Sequence, residues 1–179
     1  MRIISGNLKG IRFQPPKGFS SRPTTDFAKE ALFNVLEHRL SLIDLEILDL
    51  CAGTGSITIE FASREAGQIT AVDTNFKCTK FISEFAIKHD ISEAIQVVKS
   101  DVIKFLSNTS KTYDLIFADP PFDKTFHKDI IDIVFERELL NEDGLLIMEH
   151  GKHTKFTDHP KLSEVRKYSS VVFSFFKNN

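Results

Sequence analysis

Two loops carry the residues whose chemistry is clearest. Ala52-Gly53-Thr54-Gly55 and Asp119-Pro120-Pro121-Phe122 each follow a short, strongly apolar run directly. The glycines of the first loop let the backbone turn sharply and approach a ligand more closely than a Cβ permits. In the second loop a carboxylate precedes two prolines, which hold the backbone rigid and lack an N–H. Together the loops indicate a methyl-donor site beside an amine-acceptor site.

The second loop fits the methylation of an amine on a nucleobase. Such an amine is a poor nucleophile because its lone pair is delocalised into the ring. The Asp119 carboxylate and a neighbouring carbonyl, assigned to Pro120, can accept its two hydrogens, which frees the lone pair for in-line attack on a sulfonium methyl group. Phe122 offers a stacking surface for the flat base. For this loop taken alone, a Pro-Pro turn with a capping Asp is the competing interpretation.

The first loop, Gly53-x-Gly55 between a strand and a helix, is compatible with any nucleotide-type cofactor. The third glycine of the dinucleotide fingerprint would fall at position 58, where the chain has Thr58. This departure disfavours a pyrophosphate over the helix start, and with it a nicotinamide-dependent oxidoreductase. It leaves room for a cofactor without phosphates.

Four further residues are candidates for contact with such a cofactor. Asp73 ends a predicted strand, where a carboxylate can accept both ribose hydroxyls; a solvated strand end is the alternative. Asp101 could accept the exocyclic amine of an adenine or cap a helix. Asp49, inside an apolar run, could organise the glycine loop or contact a ligand ammonium group. Cys51 borders the cofactor loop and is interpreted as a small packing residue of the strand rather than a nucleophile.

The elements that must position these residues follow an α/β pattern. Apolar strands alternate with helices from residue 45 onward, which predicts a parallel sheet covered on both faces. The predicted strands are 46–51, 68–73, 94–99, 113–118 and 145–149. The predicted helices are 56–64, 75–89, 102–108 and 128–137. Residues 162–176 predict a hairpin at the sheet edge, with its turn at Ser169-Ser170. Ligands of open α/β sheets bind at the carboxyl ends of the strands, so the two loops are expected to face one another.

The first 40 residues predict a small extension. Residues 2–5 and 9–13 are typical of a hairpin with a tight turn at Gly6-Asn7. A helix should begin near Thr25 or Asp26, either of which can cap it. The apolar face predicted for this helix consists of Phe27, Ala31, Leu32, Val35 and Leu36.

Charge is distributed unevenly along the chain. Its 179 residues are 41% hydrophobic and carry a net charge of −2, which fits one globular domain over 1–179 and is unlike a strongly basic nucleic-acid binder. Residues 1–25 nevertheless hold five cations and no acidic residue. Those cations are Arg2, Lys9, Arg12, Lys17 and Arg22. Such an arm could hold phosphates, with a solvated basic hairpin as the alternative. Arg22-Pro23-Thr24-Thr25 is a candidate phosphate contact at a helix start.

Cysteines and histidines support two negative expectations. The chain has two cysteines, Cys51 and Cys78, with no signal peptide or long apolar span, which favours a reduced cytoplasmic compartment. Glu149, His150, His153 and His159 are potential metal ligands. Because their spacing matches no regular ligand set, no metal site is expected.

The chain resembles the RsmD-type methyltransferases, and the similarity extends over nearly its whole length. The residues that carry it are Arg2-Ile3-Ile4-Ser5-Gly6, Arg22-Pro23-Thr24-Thr25, Ala31-Leu32-Phe33-Asn34, the run Leu48-Asp49-Leu50-Cys51 with the glycine loop, and Asp119-Pro120-Pro121-Phe122. The resemblance implies a Rossmann-like class I methyltransferase fold with a mostly parallel seven-stranded sheet. It implies methylation of the exocyclic N2 amine of a guanine in small-subunit (16S) ribosomal RNA.

The resemblance also implies roles for residues. S-adenosylmethionine would lie over Asp49, Gly53, Gly55, Asp73 and Asp101, and the guanine would lie against Asp119 and Phe122. Residues 1–40 would contact RNA, through Arg2, Lys9, Arg12, Arg22 and Thr24. The family commonly has Gly where Thr58 stands and Glu where Asp73 stands.

Substrate presentation and two other functions stay open at this point. The acidic bulk of the chain fits a substrate that is presented on an assembling 30S particle better than naked RNA. A monomer without membrane contact is expected. An adenine-N6 DNA methyltransferase would use the same acceptor motif, although no target-recognition domain is visible. A catalytically silent RNA-binding assembly factor could retain the same fold.

Overall fold

Seven strands and five helices are present in the computed structural model, which describes residues 1–14, 25–121 and 126–178. The strands are β1 Glu46–Leu50, β2 Gln68–Asp73, β3 Ile95–Lys99, β4 Tyr113–Ala118, β5 Leu140–Gly151, β6 Leu162–Tyr168 and β7 Val171–Lys177. The helices are α1 Asp26–Arg39, α2 Ser56–Ser63, α3 Phe76–Lys88, α4 Val102–Asn108 and α5 His127–Glu136.

The strands form one mixed sheet in the order β3-β2-β1-β4-β5-β7-β6. The first five of these are parallel neighbours, while β7 runs antiparallel to β5 and to β6. The predicted mostly parallel sheet with an edge hairpin is therefore confirmed. The strand order reverses between β1 and β4. In open α/β sheets, ligands bind at such a switch point, beyond the carboxyl ends of the strands.

Helices cover both faces of the sheet, as the apolar strands require. On one face, α1, α2 and α3 pack on residues such as Ile47, Leu115 and Ile147. On the other face, α4 and α5 pack on residues such as Leu48 and Ile116. Side chains alternate between the two faces along each strand. A strand residue that belongs to one of the two cores therefore points to the face on which that core lies.

The N-terminal arm, residues 1–14, corrects the predicted hairpin turn. Ile3 N–H bonds to the Ile11 carbonyl at 3.0 Å and Gly10 N–H bonds to the Ile3 carbonyl at 2.9 Å, so the connection spans residues 4–10 rather than Gly6-Asn7 alone. Gly6 has φ +82°, and a Cβ there would lie 1.7 Å from the Ser63 carbonyl oxygen. Glycine is needed at position 6 because the arm passes directly against the end of α2.

A buried polar network docks this arm on the domain. The Glu60 carboxylate of α2 accepts the Ile4 N–H at 2.8 Å and the Ser5 N–H at 3.0 Å. The fully buried Lys29 ammonium of α1 lies 3.2 Å from the same carboxylate, and Arg64 donates to it at 2.8 Å. At the other end of α2, the Thr54 hydroxyl donates to the sulfur of Met1 at 3.1 Å. The arm therefore follows α2 over its length.

Helix α1 begins at the predicted residue, but its buried face differs. Thr25 caps it, accepting the Ala28 N–H at 3.2 Å, in agreement with the first of the two expected caps. Phe27 is 65% exposed, which corrects its assignment to the apolar face, while Lys29 and Phe33 are buried. Phe27 is left outside because the ion pair with Glu60 turns Lys29 towards α2.

The predicted bounds of the other elements are confirmed to within a residue, with β5 as the exception. That strand begins at Leu140 and ends at Gly151, so it is longer at both ends than the predicted 145–149. A register irregularity opposite Tyr113 and Leu115 accommodates its first residues. Cys51 lies beyond β1 with φ +59°, so its placement inside the strand was wrong. Within the described ranges, no helix is long and apolar enough to cross a membrane.

Candidate active site

The glycine loop turns from β1 into α2 with every second residue from 51 to 55 in the left-handed region. Cys51, Gly53 and Gly55 have φ values of +59°, +54° and +75°. A Cβ on Gly55 would lie 2.7 Å from the Ile82 side chain of α3. The loop can therefore pack this closely against α3 only with glycine at position 55. Gly53 is half-buried and Gly55 is buried, so the loop packs closely on the sheet, and glycines permit the sharp turn.

Asp73 holds this loop in place from the end of β2. Its carboxylate accepts the Gly53 N–H at 2.8 Å and the Asn75 N–H at 2.7 Å, which joins the glycine loop to the start of α3. The side chain is half-buried, so it faces the crevice while making both bonds. Its contact with ribose hydroxyls stays a prediction.

Asp49 and Thr58 form a buried pair beneath the loop. The Thr58 hydroxyl donates to the Asp49 carboxylate, and both residues are at most 1% exposed. Burial raises the pKa of Asp49 to about 7, although the bonds from Thr58 act in the opposite direction. The threonine at the fingerprint's third glycine position thus supplies the partner that a carboxylate in an apolar strand needs. The bond joins Asp49 to the first turns of α2, and both alternatives for this residue, organising the glycine loop or contacting an ammonium group, stay predictions.

The raised pKa of Asp49 predicts a dependence of stability on pH. Between pH about 4 and about 7 the folded protein keeps a proton that the unfolded chain loses, so this group lowers the free energy of unfolding as pH rises. Asp49→Asn keeps a carbonyl for Thr58 and removes the titrating group. We therefore expect the melting temperature of this variant to change less with pH over this range. Thermal unfolding at a series of pH values measures it, with Asp90→Asn on the surface as control. A variant with the wild-type pH dependence would contradict the burial argument.

Cys51 lies at the meeting point of the predicted site. Burial is the largest cause that raises the pKa of its thiol, and the carboxylates of Asp73, Asp119, Asp49 and Asp101 add to it, in that order. The thiol therefore stays protonated, which agrees with its interpretation as a packing residue. Hydrogen bonds tie the two sides to residues that flank Cys51 in the chain: the Asp119 N–H bonds to the Leu50 carbonyl at 3.2 Å, and Asp73 accepts the Gly53 N–H at 2.8 Å. Whether Cys51 touches a cofactor stays a prediction.

Asp119 opens the acceptor loop at the end of β4. Its N–H bonds to the Leu50 carbonyl at 3.2 Å, which fixes the loop to the end of β1. Burial, and after it the carboxylates of Glu149 and Asp49, raise the pKa of Asp119 well above its ordinary value. Pro120 is buried and follows in the position expected for the acceptor carbonyl. Phe122, the predicted stacking residue, lies outside the described residues.

Asp101 caps α4. Its side chain accepts the Lys104 N–H at 3.0 Å, and the residue is exposed beside β3. The helix-cap alternative is confirmed. A contact with an adenine amine stays a prediction, since a carboxylate can accept further hydrogen bonds while it caps a helix.

The predicted RNA-binding residues divide between the arm and the segment after it. Arg2, Lys9 and Arg12 are exposed on the arm, with Arg2 3.8 Å from Asp26. Arg22 and Thr24 lie outside the described residues. Lys9 and Arg12 are exposed and form no ion pair with the other described residues, Arg2 faces Asp26, and contact of these residues with RNA stays a prediction.

The histidines considered as metal ligands have other partners. The two ring nitrogens of His150 bond to the Ser174 hydroxyl at 2.8 Å and the Gly151 carbonyl at 2.9 Å. Burial is the main cause that lowers the pKa of His150. His159 lies 3.5 Å from Asp132. In the part of the chain that the structure describes, no three or more potential ligands are grouped to hold a metal ion.

Sequence reasoning missed two parts of the site region. Glu60 and Lys29 lie inside the predicted helices and were assigned no role, although a glutamate between Ile59 and Phe61 signals a buried charge that needs a partner. Glu149 was considered for a metal alone. Its place beside Asp119 depends on the pairing of β4 with β5, which has no local signal in the sequence.

The sheet order, the low glycine turn after β1 and the acceptor loop after β4 define a class I methyltransferase. A family model described as Conserved hypothetical protein 95 matches residues 1–177. The chain is 29% identical to ribosomal RNA small subunit methyltransferase D of Buchnera aphidicola subsp. Baizongia pistaciae, over 99% of this chain and 92% of that relative. The chain belongs to the matched family, that of the RsmD-type methyltransferases.

Solved structures share the fold. A hypothetical protein of Thermus thermophilus superposes with a TM-score of 0.86 at 23% identity, covering 99% of both chains. The 16S rRNA N2 methyltransferase RsmC of Thermus thermophilus, in complex with AdoMet and guanosine, superposes with a TM-score of 0.73 at 20% identity. That match covers 90% of this chain and 46% of the longer RsmC chain.

Proposed function

We propose that this protein transfers a methyl group from S-adenosylmethionine to the exocyclic N2 amine of a guanine in small-subunit ribosomal RNA. The observation that carries the proposal is a pair of hydrogen bonds around the end of β1: the Asp119 N–H bonds to the Leu50 carbonyl at 3.2 Å, and the Asp73 carboxylate accepts the Gly53 N–H at 2.8 Å. A donor loop and an acceptor loop meet there. Family membership and the relative named as a ribosomal RNA small subunit methyltransferase support the same reaction.

The donor side would hold the cofactor with groups that need no phosphate. Asp73 accepts ribose hydroxyls with lone pairs left over from its backbone bonds, and Asp101 accepts the adenine amine. The glycine loop at Gly53 and Gly55 would lie under the cofactor, and negative charge on Asp49 would favour a positively charged sulfur nearby. When bound, the cofactor supplies an electrophilic methyl group on a positively charged sulfur.

The acceptor side would prepare the amine. The Asp119 carboxylate and the Pro120 carbonyl accept its two hydrogens and hold the amine so that its lone pair points at the methyl carbon. The cofactor would supply the methyl group for the new N–C bond, and its sulfur would keep the electron pair of the sulfur–methyl bond that is lost. The surplus proton of the amine passes to Asp119, whose raised pKa makes it a better proton acceptor than an ordinary carboxylate. Phe122 stacks on the base.

The arm provides a surface for RNA away from the reacting amine. A cleft of about 370 Å³ lies between the arm and α3. Its floor is aromatic, since the Phe13 ring lies 5.0 Å from Phe85 and 6.2 Å from Phe81. Arg12 and Lys88 stand at its rim. Unpaired RNA bases stack on aromatic rings while cations hold their phosphates, so this surface suits single-stranded RNA.

Removal of the arm's cations should weaken RNA binding without affecting the cofactor. For Lys9→Ala with Arg12→Ala we expect the slope of log affinity against log salt to shrink by about one for each phosphate that the arm no longer binds. Binding of ribosomal RNA at several salt concentrations measures the slope. Lys104→Ala, an exposed lysine on α4 at the opposite face of the sheet, is the matched control. Equal weakening by the control would mean that the arm is not the RNA surface.

The mild negative charge of the chain favours RNA that is presented on an assembling 30S particle, acted on by a monomer in the cytoplasm. The deciding experiment combines the purified protein with labelled S-adenosylmethionine and small subunits from cells that lack it. We expect label on N2 of one guanine, more on subunits than on naked RNA. Subunits that stay unlabelled would refute the reaction, and label on adenine N6 would replace it by the alternative chemistry.

A further inference from the structure

Two aromatic rings form a supported pair on the surface of the α1 side. Phe27, in the first turn of α1, is 65% exposed, and its ring lies 6.3 Å from that of Tyr168 in an edge-to-face arrangement. Tyr168 is half-buried and packs on the core residue Phe173 at 5.9 Å. Single exposed apolar residues are ordinary on a protein surface. Here a ring that the core fixes supports a second ring that faces solvent.

The register of the sheet places this pair at the edge that carries the acceptor loop. Ala118 of β4 pairs with Met148 of β5, and the acceptor loop begins at the next residue of β4's chain. Gly151, the last residue of β5, pairs with Val171 of β7, which in turn pairs with Tyr168 of β6. At about 4.8 Å per strand and about 3.3 Å per residue, Tyr168 lies about 16 Å from the start of the acceptor loop. A few nucleotides of unpaired RNA span that distance.

Positive charge lies along the same edge. Lys152 directly follows the last residue of β5, the strand between the acceptor loop and the rings, and it is exposed. Arg2 of the N-terminal arm is exposed and lies 3.8 Å from Asp26, the residue before Phe27. An ion pair this exposed contributes little free energy, so a phosphate can compete for Arg2. The aromatic pair is therefore continuous with the arm, whose cations are already proposed to contact RNA.

The combination of rings and cations fits RNA better than a protein partner. A base that is methylated inside a pocket must leave its stack, so its neighbours lose a stacking partner. Exposed aromatic rings close to the pocket can replace that partner for any base, while cations hold the phosphates. The centre of a protein interface, in contrast, is depleted of lysine.

We propose that Phe27 and Tyr168 form a platform on which a base near the target guanine stacks, while Lys152 and Arg2 contact the adjoining phosphates. This inference rests on the proposed function. The cleft between the arm and α3 lies on the β2 and β3 side of the sheet, and the platform lies on the β6 side. The RNA would therefore be held on both sides of the reacting base.

Phe27→Leu tests the platform, because leucine keeps apolar bulk and suits a helix but has no flat face. Label transferred from S-adenosylmethionine is measured at several concentrations of undermethylated small subunits. Loss of one stacked base should raise the KM for subunits about 5- to 150-fold. The kcat, the S-adenosylmethionine affinity and the melting temperature should stay close to wild type. Phe27→Trp should keep the wild-type KM, since its ring also stacks. Ile43→Ala, 58% exposed before β1 at the opposite edge of the sheet, is the control.

The outcomes separate the platform from the proposed function. If Phe27→Leu keeps the wild-type KM while the wild type labels guanine N2, this inference falls and the proposed function stands. An equal rise in KM for Phe27→Trp or Ile43→Ala would also overturn it, because the effect would not belong to an aromatic face at this place. A dimer of the wild type that Phe27→Leu dissociates would do the same, since a second copy would cover the rings. If the wild type labels no subunits, both fall.

Discussion

Asp119→Ala is expected to abolish methyl transfer while cofactor binding persists. Asp119 is the group that both orients the amine and receives its proton, and loss of a positioned proton acceptor costs on the order of 10²–10⁴-fold in rate. The donor side does not depend on it, because Gly53, Asp73 and Asn75 are held together by their own hydrogen bonds. The methyl-transfer rate of Asp119→Asn should lie between those of the wild type and Asp119→Ala. The amide carbonyl of Asn can accept a hydrogen bond from the amine, but it cannot take up the proton.

The methyl-transfer rate of the wild-type protein should also depend on pH through the protonation of Asp119. The carboxylate works when ionised, and its raised pKa means that the rate should fall with acidification at pH values where an ordinary aspartate is still charged. Label transferred to small subunits across pH measures the rate, and calorimetry measures S-adenosylmethionine binding. Asp129→Ala, exposed on α5, is the control. Turnover by Asp119→Ala at the wild-type rate would leave an RNA-binding assembly factor or another acceptor group as the explanation.

Among the substitutions considered, Glu60→Gln is expected to lower the free energy of unfolding most. The Glu60 carboxylate neutralises the buried Lys29 ammonium and receives the arm's Ile4 and Ser5 N–H groups. An amide keeps the shape but leaves a cation buried without its counter-charge, and breaking a buried pair in this way costs about 3–5 kcal/mol. Burial, the largest cause, lowers the pKa of Lys29 and Glu60 opposes that fall, so without Glu60 the lysine should lose its proton more readily.

Urea denaturation measures this free energy of unfolding, and hydrogen exchange at the Ile4 and Ser5 amides reports release of the arm. Glu65→Gln is the matched control, since Glu65 is exposed and bonds to the arm at the Asn7 side chain alone, at 2.8 Å. If Glu60→Gln unfolds at the wild-type urea concentration with unchanged exchange, the network does not hold the arm.

Most of the parallel sheet could be predicted because its signals are local. Residues 68–73 and 113–118 are apolar runs bounded by turn residues, and both strands have the predicted limits. Features that depend on distant neighbours could not be predicted in the same way. Gly6 was interpreted as half of a tight turn, whereas its glycine is required by the carbonyl of Ser63 on another element. Phe27 has the spacing of a core residue and is exposed.

The candidate site shows the same division. The acidic and glycine positions after β1, β2 and β4 are readable from the chain because the rule about carboxyl ends of parallel strands applies to any α/β sheet. Thr58 departs visibly from the dinucleotide pattern, but its bond to Asp49 arises only where a turn of helix meets a strand. The position of Glu149 next to Asp119 could be recognised only from the register between β4 and β5.

Helix α2 connects the glycine loop to the N-terminal arm. It leaves the glycine loop at Ser56 and ends against the arm at Ser63, a length of about 12 Å at 1.5 Å per residue, and every one of its residues is buried. A buried helix of this kind keeps its two ends at a constant separation. The arm that would bind RNA is therefore held at a set distance from the loop that would bind the cofactor, without any hinge between them along α2.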